Sequence, residues 1–387
     1  MSAADDWSRR YTQAISTAGE QRRLRKPRGP HKNCTDLGSN DYLQLSRDRR
    51  VIEAAAEQLS CTQATFGAGA SPVIGGHTDA HELLHRKLSE LTGVPVATFS
   101  SGYSANVGTL ACLVDKSGLI LSDELNHASL IDGCRLSGAT RIIFPHLDYR
   151  YLEQALQEQR EQFSHCIIVT ESVFSMDGDQ ADLPKLWQLA EQYECALVID
   201  EAHATGLYDQ GRGLLAAQLA LDFWPENLIK LGTLSKAVGS IGGFVCGTAT
   251  CIDFIVNHCR SYLFSTAAPA ACAAASAAAV SLLPQIDDRR ERLFAISQRL
   301  RRELNEAGWQ VDLTSDSPIV PIIVGDEGLA LSLSEWLLAQ RFSVPAIRPP
   351  TVPSGKSRLR VSLNSGLTDS ELSRFVEAMR LARTEVS

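Results

Sequence analysis

Between about residue 80 and residue 260 the chain repeats one pattern: a short continuous apolar run, a few small or polar residues, then a stretch with helical spacing. The runs are V-P-V-A-T-F, G-L-I-L-S-D (Gly118 to Asp123), H-C-I-I-V-T (His165 to Thr170), C-A-L-V-I-D (Cys195 to Asp200), N-L-I-K-L-G-T (Asn227 to Thr233) and G-G-F-V-C-G (Gly242 to Gly247). A strand that is apolar at almost every position is buried on both faces. That occurs when helices cover both sides of a mainly parallel sheet. The helices are legible too. His81 to Leu91 carries Leu83, Leu84, Leu88 and Leu91 at helical spacing and stops at Thr92-Gly93, and Leu183 to Tyr193 is another. The expected fold class is α/β. In such sheets ligands bind beyond the carboxyl ends of the strands, so the residues just after each run hold the function.

The flanks read differently. Residues 1–45 form a polar, basic arm, in which Gln21 to Lys32 is either a solvated segment or a recogniser of an anionic substrate. Beyond residue 285 come a helix over Asp287 to Ala307, the strand Ile319 to Val324, a helix over Leu329 to Gln340 and the alternating strand Ser357 to Asn364. A final helix is capped by Thr368 and Glu371. These predict a small α+β domain, with boundaries at 1–45, 46–284 and 285–387. The alanine-rich run Ala267 to Leu283 predicts a buried helix, because alanine inserts weakly into membranes and Pro269, Ser276 and Ser281 interrupt it. A net charge of -8 argues against a general nucleic-acid binder. Ten cysteines without a C-x-x-C pair indicate neither a zinc site nor a disulfide framework. They predict free thiols in a reducing cytoplasm, and the amino terminus shows no secretory apolar stretch.

The strand-end residues form a set. After V-A-T-F come Ser100, Ser101, Gly102, Tyr103 and Ser104 and then a helix, whose first amides can hold an anion. After G-L-I-L-S-D comes His127, a ring that either serves local structure or stacks on a flat cofactor. Glu171 to Asp179, E-S-V-F-S-M-D-G-D, has no metal spacing to complete its carboxylates, and Asp177-Gly178-Asp179 reads as a turn. After A-L-V-I come Asp200, Glu201, Ala202 and His203. A carboxylate ending a buried strand needs a cationic partner, and a protonated ring nitrogen is one. Lys236 follows Thr233-Leu234-Ser235, with Gly232 and Gly239 on either side. A lysine used as a covalent nucleophile is partly desolvated or near another cation. An anion site, a stacking ring, a buried aspartate and a secluded lysine together fit pyridoxal 5'-phosphate. That cofactor takes a lysine Schiff base and an acid beside its pyridine nitrogen.

The motifs that carry these residues are S-N-D-Y-L (Ser39 to Leu43), S-G-Y-S-A-N (Ser101 to Asn106), N-H-A-S-L (Asn126 to Leu130), E-S-V-F-S-M-D-G-D, D-E-A-H-A-T-G (Asp200 to Gly206) with G-R-G (Gly211 to Gly213), and T-L-S-K-A-V-G. In this order they make the chain, from about Leu37 to the last helix, resemble the α-oxoamine synthases. These are fold-type I pyridoxal-phosphate transferases with a mainly parallel large domain and a smaller α+β carboxy-terminal domain. The resemblance implies a homodimer with a shared site. Lys236 would bond the cofactor, Asp200 would pair with its pyridine nitrogen, His203 would lie near its phenolic oxygen and His127 would stack on the ring. Gly102, Tyr103 and Thr233 would hold the phosphate, Ser175 would face the cofactor, and Ser265 with Thr266 would reach the neighbouring subunit's phosphate. Asn40 and Arg360 would hold substrates, Arg360 the amino-acid carboxylate, with Thr351 and Arg25 as further substrate-binding candidates. No metal is implied.

The segment A-I-R-P-P-T-V-P (Ala346 to Pro353), followed by S-R-L-R, looks most like the branch that condenses L-alanine with pimeloyl-CoA or a pimeloyl-carrier protein in biotin biosynthesis. The alternatives are a sister activity, glycine C-acetyltransferase or serine palmitoyltransferase, and a non-catalytic partner subunit. The last should have lost the lysine, which this chain keeps. Some positions depart from the family's usual residues. Gln44 stands for a glycine, Ser71-Pro72 for Ser-Arg, and His146-Leu147-Asp148 for H-N-D. S-L-N-S-G replaces an ending with a small residue and a histidine.

Overall fold

The computed structural model describes residues 3–386 apart from 22, 26, 28, 30, 63 and 220, so Arg22 of the basic arm lies outside the described residues. The chain forms two compact units, one of residues 40–293 with 364–366 and one of 1–39 with 294–363 and 367–387. Among the described residues the strands are, in chain order, β1 (Thr35–Asp36), β2 (Val96–Phe99), β3 (Gly118–Asp123), β4 (Thr140–Phe144), β5 (His165–Glu171), β6 (Ala196–Asp200), β7 (Leu228–Thr233), β8 (Gly243–Cys246), β9 (Ile319–Gly325), β10 (Phe342–Ser343), β11 (Ala346–Ile347) and β12 (Ser357–Ser362).

In the larger unit seven strands form one sheet in the order β2-β8-β7-β6-β5-β3-β4. The pairs from β7 to β4 are parallel, and β8 runs antiparallel to both of its neighbours. The apolar runs expected from the sequence become β2, β3, β5, β6, β7 and β8, nearly all buried along their length. Ala97, Ile120, Val169, Val198, Leu231 and Val245 meet Leu110 and Leu130 from the covering helices in one core. Each buried valine, leucine or isoleucine here contributes about 1.5–3 kcal/mol. The edge strand β4 is absent from the sequence reading for a physical reason. It pairs on one side only and leaves Arg141 and Ile143 exposed, so it lacks a continuous apolar run.

Helices start just past the strand ends. Ser101 caps the helix Gly102–Leu113 with its hydroxyl on the Ser104 amide, and His127 caps Ala128–Leu136 from Nδ1. The helix Asp79–Thr92 stops at Gly93, whose φ of 79° suits glycine. The alanine-rich helix Ala270–Leu282 is largely buried. No single helix among the described residues is long and apolar enough to cross a membrane.

The smaller unit opens with a helix, Ala3–Glu20, where the sequence suggests a polar arm. Trp7, Tyr11 and Ile15 recur every four residues, but they are exposed and too sparse among charges to announce a helix. β9 and β12 pair antiparallel with β11 on the other side of β12, and β1 pairs in parallel with β10. Leu359 and Val361 share one face of β12, as their alternation predicts, yet Arg358 and Arg360 on the opposite face are buried as well. Thr368 and Glu371 form the expected capping box of Asp369–Glu385. In the basic arm, Arg25 donates from Nη2 to the Thr351 hydroxyl at 3.0 Å.

Candidate active site

The carboxyl ends of β5, β6 and β7 deliver the polar residues of the larger unit side by side. β6 ends at Asp200, which sits opposite Glu171 of β5 in the ladder. Asp200 is 4% exposed and is held by the Asn106 amide at 2.6 Å and the Ala202 N–H at 2.8 Å. Both partners are neutral, so the arrangement orients a carboxylate without supplying a cation. Asn106 also donates to the Ser129 hydroxyl at 2.9 Å, and that hydroxyl lies 2.7 Å from His127 Nδ1. His127 and Asp200 are thus joined by one hydrogen-bonded chain through Ser129 and Asn106. Burial lowers the His127 imidazole pKa against the opposing pull of Asp200, which favours the neutral ring.

Glu171 is fully enclosed. Burial, then the neighbouring Asp200, push its carboxyl up to about 8. It accepts from the His127 amide at 2.6 Å and from the Ser175 backbone. Glu201, next in sequence to Asp200, points elsewhere. It forms a buried ion pair with Lys230 at 2.6 Å and accepts from the Leu215 amide. One D-E-A-H segment therefore serves both site and scaffold.

Past β7, Thr233 lies 2.7 Å from the Ser235 hydroxyl, and its own hydroxyl donates to the Gly242 carbonyl. Lys236 follows. Its Nζ is 2.8 Å from His203 Nε2, and His203 is 4% exposed. His203 Nδ1 is 2.7 Å from the Tyr42 hydroxyl, which is itself 3.2 Å from Asn40 Oδ1. One donor order satisfies this line: Tyr42 donates to Asn40 and accepts from Nδ1–H, leaving Nε2 to accept from Lys236. Tyr42 is completely buried.

The residues fit pyridoxal phosphate on the structure's own terms. The buried, neutrally partnered Asp200 is complementary to a protonated pyridine nitrogen. Close by, the helix starting at Gly102 presents its first amides, and no described protein group accepts from Gly102 or Tyr103 N–H. The approach of this helix start to the sheet requires glycine. A Cβ on Gly102 would come within 3.1 Å of the Thr233 hydroxyl, and one on Gly243 would fall 2.6 Å from Gly102 Cα. Tyr103 bonds Asp132 at 2.6 Å, and Ser265 sits 3.4 Å from the Ser100 hydroxyl with Thr266 exposed beside it. Arg360, Thr351 and Arg25 belong to the smaller unit. Sequence reasoning passed over Tyr42, Asn106, Ser129 and Glu171. Each lies inside a quoted motif, but only their three-dimensional contacts give them work.

A mainly parallel α/β sheet with a half-buried lysine against a histidine, and a sequestered aspartate one strand away, defines the class of pyridoxal-phosphate enzymes. The aminotransferase class I and II family model matches residues 32–379. Over 371 residues the chain is 40% identical to 8-amino-7-oxononanoate synthase 2 of Bacillus subtilis, covering 93% of each protein. Serine palmitoyltransferase of Sphingomonas wittichii superposes with a TM-score of 0.88 at 26% identity, covering 99% of both chains. 8-Amino-7-oxononanoate synthase of Francisella tularensis superposes at 0.77 and 26% identity, covering 92% of this chain and 99% of that one. The chain belongs to the aminotransferase class I and II family and, within it, to the α-oxoamine synthases.

Proposed function

We propose that the chain condenses L-alanine with a pimeloyl thioester, on coenzyme A or a carrier protein, to give 8-amino-7-oxononanoate in biotin biosynthesis. The observation that carries the substrate assignment is 37–40% identity, over 93–97% of this chain, to relatives named for that product. The alanine α-carbon bonds to the thioester carbonyl, the C–S bond breaks, and the alanine carboxylate leaves as carbon dioxide. The proton removed from the α-carbon is returned there, and solvent supplies the proton the thiol carries away.

Bound pyridoxal phosphate supplies the electron sink for the α-carbon. Lys236 bonds the cofactor, and its Nζ takes and returns the α-proton. In the cofactor-free chain His203 Nε2 accepts from that Nζ; once protonated, the same nitrogen donates to the acyl oxygen or to the carboxylate being lost. Asp200, oriented by Asn106, keeps the ring nitrogen protonated. His127 covers the ring face, and Gly102, Tyr103, Thr233 and Ser175 hold the cofactor. In a homodimer Ser265 and Thr266 reach the neighbour's phosphate. Asn40, Arg360, Thr351 and Arg25 take the substrates, with Arg360 on the amino-acid carboxylate. The enzyme works in the cytoplasm, away from membranes and nucleic acid.

Serine with a long acyl thioester is the second reading, favoured by the higher TM-score of the palmitoyltransferase, 0.88 against 0.77. Both structures are 26% identical to the chain, so sequence decides, and its stronger likeness lies with the pimeloyl branch. The test is thiol release when L-alanine, glycine and L-serine are crossed with pimeloyl, acetyl and palmitoyl thioesters. Turnover confined to L-alanine with the pimeloyl thioester is expected. Preference for L-serine with palmitoyl would move the chain to the sister activity.

A further inference from the structure

A second cluster of ligand-type side chains lies apart from Lys236. H-E-L-L-H, His81 to His85, has the H-E-x-x-H spacing that on a helix presents two zinc-binding histidines and a general-base glutamate. The run does lie on a helix, Asp79–Thr92, but the geometry reassigns the ligands. His81 is committed to the fold. Its Nε2 donates to the Ala268 carbonyl at 2.9 Å, and its Nδ1 accepts from the Thr78 amide at 3.2 Å. With both nitrogens engaged and 3% exposure, it has no lone pair for an ion.

His77, from the turn before the helix, takes its place. His77 Nε2 lies 3.3 Å from Glu82 Oε2, and its ring meets His85 edge-on with centroids 5.0 Å apart. Glu82 and His85 are three residues apart and share a helix face. Each of His77, Glu82 and His85 offers one ligand atom within 4.8 Å of the other two. Ligands about 2.0–2.1 Å from a tetrahedral zinc stand roughly 3.3 Å apart, so closing the set asks for small side-chain rotations. Glu82 has that freedom, its side chain being 68% exposed. His85 is supported from behind, with Nε2 2.8 Å from the Thr98 hydroxyl and no described partner on Nδ1. A second ring nitrogen fixed by a hydrogen bond is the usual support of a metal-ligating histidine.

We infer that His77, Glu82 and His85 form a binding site for a divalent transition-metal ion of the Zn2+, Co2+ or Ni2+ class. Two imidazoles and a carboxylate suit such borderline ions, and water completes the shell. Because Glu82 is a ligand and His81 is not, the site fastens structure and lacks the free base of a hydrolase. The ion ties the 71–78 turn to the helix. The same turn region is anchored just past Thr266, where the Ala267 amide donates to the Ala70 carbonyl at 3.0 Å.

The test uses the full-length, pyridoxal-phosphate-loaded protein, stripped with a chelator and titrated with Co2+, read by its visible bands, and with Zn2+ by calorimetry. The wild type should take up one saturable equivalent per chain. His77→Ala and Glu82→Gln should each weaken that equivalent at least tenfold, and His85→Asn likewise. His77 is half-buried and Glu82 exposed, so these two variants should keep the metal-free melting temperature and the condensation rate of the wild type. No bound equivalent in the wild type, or one that His77→Ala and Glu82→Gln leave unchanged, overturns the inference.

Discussion

Gln44 and Leu147 depart from the family's motifs, and both sit at φ 56°, in the left-handed region. A glycine at the first and an asparagine at the second meet that geometry at lower cost. Leu147→Asn and Gln44→Gly should therefore each stabilise the protein by about 1 kcal/mol, read as a raised midpoint in chemical denaturation. A loss of stability would show that side-chain packing outweighs the backbone term at these positions. At the site, the Lys236, Asp200 and His203 trio was legible because strand-end chemistry is written in sequence order. The buried Tyr42 was not, since its contact with His203 spans 161 positions. Tyr42→Phe removes the hydrogen bond between its hydroxyl and His203 Nδ1, and losing one such bond costs about 0.5–1.5 kcal/mol. The variant should fold and turn over about tenfold more slowly at saturating substrate, a barrier change of about 1.4 kcal/mol. An unchanged kcat would remove Tyr42 from the account.

Among the elements, the turn after β4 is tied down by His146, the residue before Leu147. Its ring is 2.9 Å from Asp123 at the end of β3 and 2.7 Å from Asp179 in the turn after β5. Burial alone would lower this imidazole, but the Asp123 and Asp179 carboxylates override it and push it up to about 10. The folded value is raised above the usual 6.5 or so of an unfolded histidine, so the stabilisation is full below about pH 6.5 and fades as pH rises toward 10. The unfolding free energy of the wild type minus that of His146→Gln should shrink over this window; a difference that grows with pH would reverse the sign of the argument. The strands buried on both faces were legible because continuous apolar runs have few other uses. β4 and the helix Ala3–Glu20 were not, because an edge strand and an exposed helix have weak apolar patterning.

For the whole molecule, the compact units interleave in sequence. Residues 1–39 cluster with the carboxy-terminal segment, a partition that composition along the chain cannot announce because it rests on pairings such as Thr35 with Phe342. The proposed sharing of Ser265 and Thr266 between subunits requires a dimer. Sedimentation equilibrium should give about twice the chain mass of 42.1 kDa, and a monomer at working concentration with full activity would contradict it. The central claim is that one lysine, Lys236, carries the cofactor. Borohydride reduction of the loaded protein followed by peptide mapping tests it most directly, since it fixes the cofactor to whichever amine holds it. The account predicts the modified residue to be Lys236, with none at Lys230, whose amine is committed to Glu201. Label on any other lysine, or none at all in a protein that still turns over, would contradict it.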